Sequence, residues 1–116
     1  MISELPGLDR VRARFLDMLV PRHEQIAAHA VAAWDGETVE EINGNLAAAQ
    51  AILHQIAGTA GSLGLVDLGA KAHACENEII DHLKGPDADL AICPGEIIRD
   101  LDEFLQDCLA VLESSK

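Results

Sequence analysis

Apolar residues recur three or four positions apart over most of the chain, and this spacing places them on one face of an α-helix. The pattern occupies four stretches, at about Leu8–Trp34, Leu46–Leu63, Asp67–Leu83 and Ile97–Leu112. Two Phe, one Trp and no Tyr leave the core to aliphatic residues, and the abundant Ala and Leu are strong helix formers. The sequence therefore predicts an all-α protein, and short connections favour an antiparallel, up-down-up-down four-helix bundle.

Proline and glycine indicate how the helices are divided. Pro21 lies inside the first apolar pattern, so we expect an N-terminal helix that is kinked or split near Asp17–Pro21. Asp35-Gly36 should end it, and a short helical piece is expected over Glu37–Asn43. Asn43-Gly44-Asn45 is typical of a turn, with Asn45 as the N-cap of the next helix.

Length and charge limit the classes of function. A chain of 116 residues is expected to form a single domain, residues 1–116, with a core that needs no disulfide or metal. A net charge of −12 disfavours nucleic acids and anionic membrane surfaces as partners, and no apolar run is long enough to cross a bilayer. Three cysteines without a C-x-x-C pair indicate neither a disulfide framework nor a zinc site, so we expect a cytoplasmic protein.

One histidine, His54, is predicted to face away from the core. The apolar stripe of its helix consists of Ala49, Ile52, Leu53, Ile56, Ala60 and Leu63. The opposite side, with His54, consists of Ala47, Gln50, Ala51, Ala57, Gly58 and Gly61. A glycine inside a helix costs roughly 1 kcal/mol relative to alanine, so Gly58 and Gly61 need a reason. We expect them to admit a partner close to His54; close packing of a neighbouring helix is the alternative.

The run from His54 to Gly64, and the helix from Leu65 to Glu76, resemble the histidine-containing phosphotransfer (HPt) family. The family signature is a histidine, two residues, a lysine, then glycine and further small residues. Its next helix begins with a leucine and carries small residues and a glutamate. The resemblance implies a phosphorelay intermediate, a phosphocarrier more than an enzyme. His54 would accept a phosphoryl group from a receiver-domain aspartate or a kinase and pass it to another receiver.

The resemblance also implies partners and a docking surface. The chain is expected to be a monomer. It would bind response-regulator receiver domains, a histidine kinase, or both. The magnesium ion would belong to the receiver, so no cofactor of the chain's own is expected. Receiver docking should use the residues around His54, namely Gln50, Ala51, Ala57, Gly58 and Gly61.

The chain departs from the family signature at one position, because Ala57 stands where the family has lysine. Gln50, one turn before His54, is expected to donate a hydrogen bond to a phosphoryl oxygen but brings no charge. Lys71 and Lys84, on the next helix, are candidates to compensate. The alternative function is therefore a receiver-binding module of the same fold without efficient phosphotransfer.

A metal-binding helical bundle is the third reading. His73 with Glu76, or Glu78 with His82, have a spacing that could hold a metal in a bundle. Such sites also need carboxylates from the other helices, whose inward faces are almost wholly apolar. We therefore expect solvated surface charges at these positions and no metal site.

Overall fold

The computed structural model describes residues 7–115 and contains four α-helices. They are α1 (Leu8–Asp35), α2 (Val39–Ala60), α3 (Val66–Lys84) and α4 (Gly95–Ser114). Short 3₁₀ turns follow α2 at Gly61–Leu63 and α3 at Pro86–Asp89, and residues 7–115 contain no strand. Each helix packs against the next and α4 packs back on α1, which confirms the predicted all-α four-helix bundle.

The first helix runs through Pro21 without interruption. Leu19 and Ile26, on either side of the proline, are fully buried, and this burial stabilises the helix across the missing backbone hydrogen bond. The split form of the prediction is therefore wrong. Val11 and Trp34 both belong to the predicted apolar pattern of Leu8–Trp34, but they are 53% and 58% exposed. Trp34 lines a shallow groove between α1 and α4 instead of the core.

The second helix begins earlier than predicted. The Thr38 hydroxyl accepts a hydrogen bond from the backbone N–H of Glu41 and donates one to its Oε1, each at 3.1 Å. This side-chain cap supports helix formation from Val39 onward. The predicted separate piece over Glu37–Asn43 and the turn at Asn43-Gly44-Asn45 are therefore wrong, because both lie within one continuous helix.

The two asparagines that suggested a turn make hydrogen bonds from inside the helix. Asn43 Nδ2 donates to the carbonyl of Ala88, at 2.7 Å. Asn45 Nδ2 donates to the Glu41 carbonyl one turn back, and its Oδ1 lies 2.9 Å from Nδ1 of His29 on α1. Tertiary partners thus use side chains that favour turns when considered alone.

The connection between α2 and α3 fixes how these two helices meet. Gly64 has a φ of 85°, and the backbone N–H of Leu65 donates back to the carbonyl of Ala60 at 2.9 Å. This left-handed glycine ends the helical turn. Gly69 on α3 is buried, and a Cβ there would lie 3.2 Å from the backbone nitrogen of Gly61. At Gly69, α3 therefore packs closely against the end of α2.

The three cysteines lie inside the bundle. Cys75, Cys93 and Cys108 are free and buried, as expected of small apolar residues. Burial raises the pKa of Cys75 and of Cys108 to about 12, so both are thiols at neutral pH.

Within residues 7–115, no helix combines the length and apolar character that a membrane crossing requires.

Candidate functional site

His54 projects from the middle of α2 into solvent, and its side chain is 74% exposed. Leu53 and Ile56, which belong to the apolar stripe of the same helix, are fully buried. Ile52, also on the stripe, is half-buried against the core. The predicted orientation of His54 is therefore confirmed. The stripe places the imidazole outside the bundle because neighbouring positions on α2 turn by about 100° per residue.

A buried carboxylate on α3 faces His54. Glu76 has only 6% of its side chain exposed, and its Oε2 lies 2.8 Å from His54 Nδ1. The same oxygen accepts a hydrogen bond from Gln50 Nε2 at 2.7 Å. A buried carboxylate is costly without hydrogen-bond donors, and here α2 supplies two of them.

This contact determines which nitrogen of His54 carries the proton. A carboxylate oxygen only accepts hydrogen bonds, so Nδ1 is the donor and is protonated. In a neutral imidazole the other nitrogen, Nε2, then holds the free lone pair. Nδ1 is directed at the buried carboxylate and most of the side chain is exposed, so Nε2 is the ring nitrogen that keeps a lone pair for reaction.

Gln50 makes a contact that the sequence did not predict. Its amide nitrogen donates to Glu76, and this hydrogen bond holds the carboxylate in place against His54. The amide has a second N–H, so the expected hydrogen bond to a phosphoryl oxygen stays a prediction. Gln50 is half-buried, which agrees with a supporting position beneath the exposed ring.

The glycines beside His54 open onto free space. A Cβ added at Gly58 or Gly61 would have no atom within 4 Å, and both glycines are exposed. No neighbouring helix therefore occupies the space where a side chain at either glycine would lie. Helix α3 approaches the backbone of Gly61 at Gly69, but from another side. Ala51 is also exposed and Ala57 is half-buried, so small side chains surround the imidazole.

The family model of the Hpt domain matches residues 10–115 of the chain. The chain belongs to the Hpt domain family. The resemblance read from the sequence is thereby confirmed, and it extends over all four helices. Hpt domains are phosphorelay modules that interact with receiver domains and kinases in two-component systems, and they are not classical enzymes. No curated protein and no solved structure matched the chain.

The lysines of α3 do not replace the family's lysine at the position of Ala57. Lys71 Nζ lies 2.6 Å from Asp107 Oδ2 of α4, and this hydrogen bond and ion pair raise the pKa of Lys71. Lys71 is therefore directed to the α3–α4 side of the Hpt domain. Lys84 follows Glu76 by eight residues, so it lies about 12 Å farther along α3 than the carboxylate that contacts His54.

A second histidine shares the site. His54, Ala57, Gly58, His73, Glu76, Asn77 and Ile80 line a shallow depression of about 280 Å³. His73 Nδ1 lies 3.8 Å from Glu76 Oε1, the oxygen that His54 leaves unused, and Asn77 Nδ2 lies 3.2 Å from His73 Nε2. The sequence suggested a metal pair as the only special role for His73, whereas Glu76 also matches the glutamate of the family pattern. That match was the available signal for the site, but the contact between Glu76 and His54 spans 22 residues.

The arrangement of this pair differs from a metal centre. In the part of the chain that the structure describes, no three His, Cys, Asp or Glu residues are grouped so that they could hold a metal ion. Glu76 is engaged by His54 and Gln50, and Glu78 is directed at Asp100 of α4. The geometry therefore gives no support to the metal-binding reading.

Proposed function

We propose that this Hpt domain is a phosphorelay intermediate that carries a phosphoryl group on Nε2 of His54. The observation that carries the proposal is the hydrogen bond between His54 Nδ1 and the buried Glu76, beneath a ring that is 74% exposed. An exposed imidazole with a fixed tautomer is a ready nucleophile at neutral pH. Gly58 and Gly61 support the proposal because they leave room for a partner to reach it.

The transfer step needs little from this chain beyond positioning. The Nε2 lone pair attacks the phosphorus of a receiver's aspartyl phosphate, an N–P bond forms, and the P–O bond to the aspartate breaks. The aspartate leaves as a carboxylate with the bonding electrons. The proton stays on Nδ1, and the negative charge of Glu76 offsets the positive charge that the ring acquires. Phosphoryl transfer depends mainly on such positioning and electrostatics, and magnesium would be supplied by the receiver.

The proposed partners are receiver domains and a histidine kinase, docking on the His54 face. Ala51, Ala57, Gly58 and Gly61 would form a flat surface around the imidazole, which suits close approach of another protein. The net charge of −12 argues against nucleic acids and anionic membranes as partners. We further propose that the chain acts as a monomer in the cytoplasm and has no cofactor of its own.

Two observations favour a second function. Ala57 provides no cation beside His54, and Lys71 is engaged by Asp107 of α4. A module that binds receivers without efficient transfer would fit these two facts.

Transfer of labelled phosphate separates the two functions. The chain is incubated with a panel of phosphorylated receivers, alongside His54→Gln and the control His23→Gln on α1. The relay function predicts acid-labile, base-stable label on the wild type and the control and none on His54→Gln. Label that persists in His54→Gln would contradict the assignment of the site. A receiver that binds but transfers no label would favour the docking module.

A further inference from the structure

The phosphorylated site would concentrate negative charge. A phosphorylated side chain carries nearly two negative charges at neutral pH. Glu76 adds a carboxylate directly behind the ring, and the whole chain has a net charge of −12. None of the residues that line the depression is Lys or Arg. A phosphoryl group on His54 would therefore lie close to the Glu76 carboxylate, with no lysine or arginine in the depression to offset the two negative groups.

His73 is the other group in the depression that can become positive. Its side chain is 66% exposed, and its Nδ1 is 3.8 Å from Glu76 Oε1. The titratable groups facing it are Glu76 on its own helix and His54 on α2. The acidic residues of α4, such as Asp107 and Asp100, face Lys71 and Glu78 on the other side of α3. Histidine is the side chain whose charge ordinarily changes near neutral pH.

We propose that protonated His73 supplies the positive charge that the family's lysine would supply at Ala57, and so makes the phosphorylated state of His54 dependent on pH. The inference rests on the proposed function and concerns the same site. The stabilisation is present when the His73 ring is protonated and is lost as the pH rises and the ring becomes neutral. A permanent lysine would stabilise the phosphoryl group at every pH near neutrality.

The coupling between the two histidines must be mutual. If protonated His73 stabilises the phosphoryl group, phosphorylation of His54 raises the proton affinity of His73 by the same factor. For two charges separated by several ångströms near the surface, we expect roughly a threefold to tenfold increase at low ionic strength. High salt should reduce the increase.

Nuclear magnetic resonance measures this coupling without any partner protein. The full chain is treated with phosphoramidate, a small donor whose P–N bond breaks as ammonia leaves and an N–P bond to His54 forms. Phosphorus spectra of the wild type and His54→Gln identify the phosphorylated residue. The ring protons of His73, assigned with His73→Gln, are then titrated before and after phosphorylation, and the His23 ring of α1 serves as an internal control.

The expected result is a higher titration midpoint for His73, but not for His23, in the phosphorylated protein. Ala57→Lys should reduce the increase, because a fixed cation already compensates the phosphoryl charge. Lys71→Gln removes a cation from the far side of the same helix and should leave the increase unchanged. An unchanged midpoint for His73 in protein phosphorylated on His54 would overturn this inference and leave the relay function intact. Failure of His54 to take up phosphate would instead contradict the proposed function, and this inference with it.

Discussion

Two glutamates on α3, only two residues apart, face different neighbours and behave differently. Glu76 points to α2, where Gln50 and His54 place hydrogen-bond donors 2.7 and 2.8 Å from its carboxylate. Glu78 points to α4, where it meets the carboxyl group of Asp100. Partial burial and then the neighbouring Asp100 raise the pKa of Glu78 to about 7.

The comparison shows that the neighbouring helix decides what a carboxylate can do. Donors from α2 keep Glu76 ready to orient an imidazole and to balance its charge. Carboxylates from α4 make Glu78 share a proton, and nearby Lys71 is engaged by Asp107. The α2–α3 interface therefore has the arrangement for nucleophilic chemistry, whereas the polar contacts of the α3–α4 interface are a carboxyl pair and an ion pair.

The largest expected difference between the two glutamates is in the transfer rate. Glu76→Gln keeps the shape of the side chain but removes the charge that orients and balances His54. We expect phosphorylation of His54 to slow by roughly 10- to 100-fold. Glu78→Gln is the matched control and should leave the rate near that of the wild type. Equal rates for the two variants in a labelled-phosphate assay would break the comparison.

Docking on the α2 surface should depend on the open space at Gly58. Gly58→Glu places a charged side chain where a receiver would approach, and we expect its dissociation constant to rise by about tenfold or more, which is 1.4 kcal/mol. Gly58→Ala adds only a methyl group and should bind nearly as well as the wild type. Isothermal titration with a receiver measures both, and full affinity in Gly58→Glu would place the docking surface elsewhere.

Replacement of Gly58 on α2 and of Gly69 on α3 by alanine should change the free energy of unfolding in opposite directions. A Cβ at Gly69 would press on the Gly61 backbone at 3.2 Å, so Gly69→Ala should lower the free energy of unfolding by about 1 kcal/mol. Gly58→Ala meets no atom within 4 Å and should raise it by about 0.5–1 kcal/mol through helix propensity. Urea denaturation tests the pair; a loss of stability in Gly58→Ala would mean that this glycine has a packing role.

The smallest expected effect is the pH dependence that Glu78 contributes. Its pKa rises from 4.5 to about 7 in the folded state, so folding is favoured while Glu78 is protonated. This contribution is complete below about pH 4.5 and is lost as the pH rises through about 7. The free energy of unfolding of Glu78→Gln, relative to wild type, should therefore increase over this range by less than about 1 kcal/mol. A difference that falls with pH would contradict the assignment.

The parts of the fold that follow from one helix at a time were predictable from the sequence. The phase of α2 placed Leu53 inside and His54 outside because burial follows the period of the helix. The predicted turn at Asn43–Asn45 was wrong because the cap at Thr38 and tertiary hydrogen bonds outweighed local turn propensity.

The parts of the site that depend on two helices were not predictable. The contact between His54 and Glu76 joins residues 22 positions apart, and no local pattern specifies it. The hydrogen bond of Gln50 to Glu76 was not predictable for the same reason, since its partner lies on α3. The alternatives for Gly58 and Gly61 likewise depend on where a second helix passes.

The central claim is that Glu76 holds the proton of His54 on Nδ1 and leaves Nε2 free to react. Nitrogen NMR of the ¹⁵N-labelled unphosphorylated chain, above the pH at which the ring is protonated, identifies the tautomer of each histidine directly. The account predicts that His54 carries its proton on Nδ1 and that Glu76→Ala shifts the ring toward the Nε2-protonated form, which model imidazoles also populate. A wild-type His54 protonated on Nε2 would contradict the account.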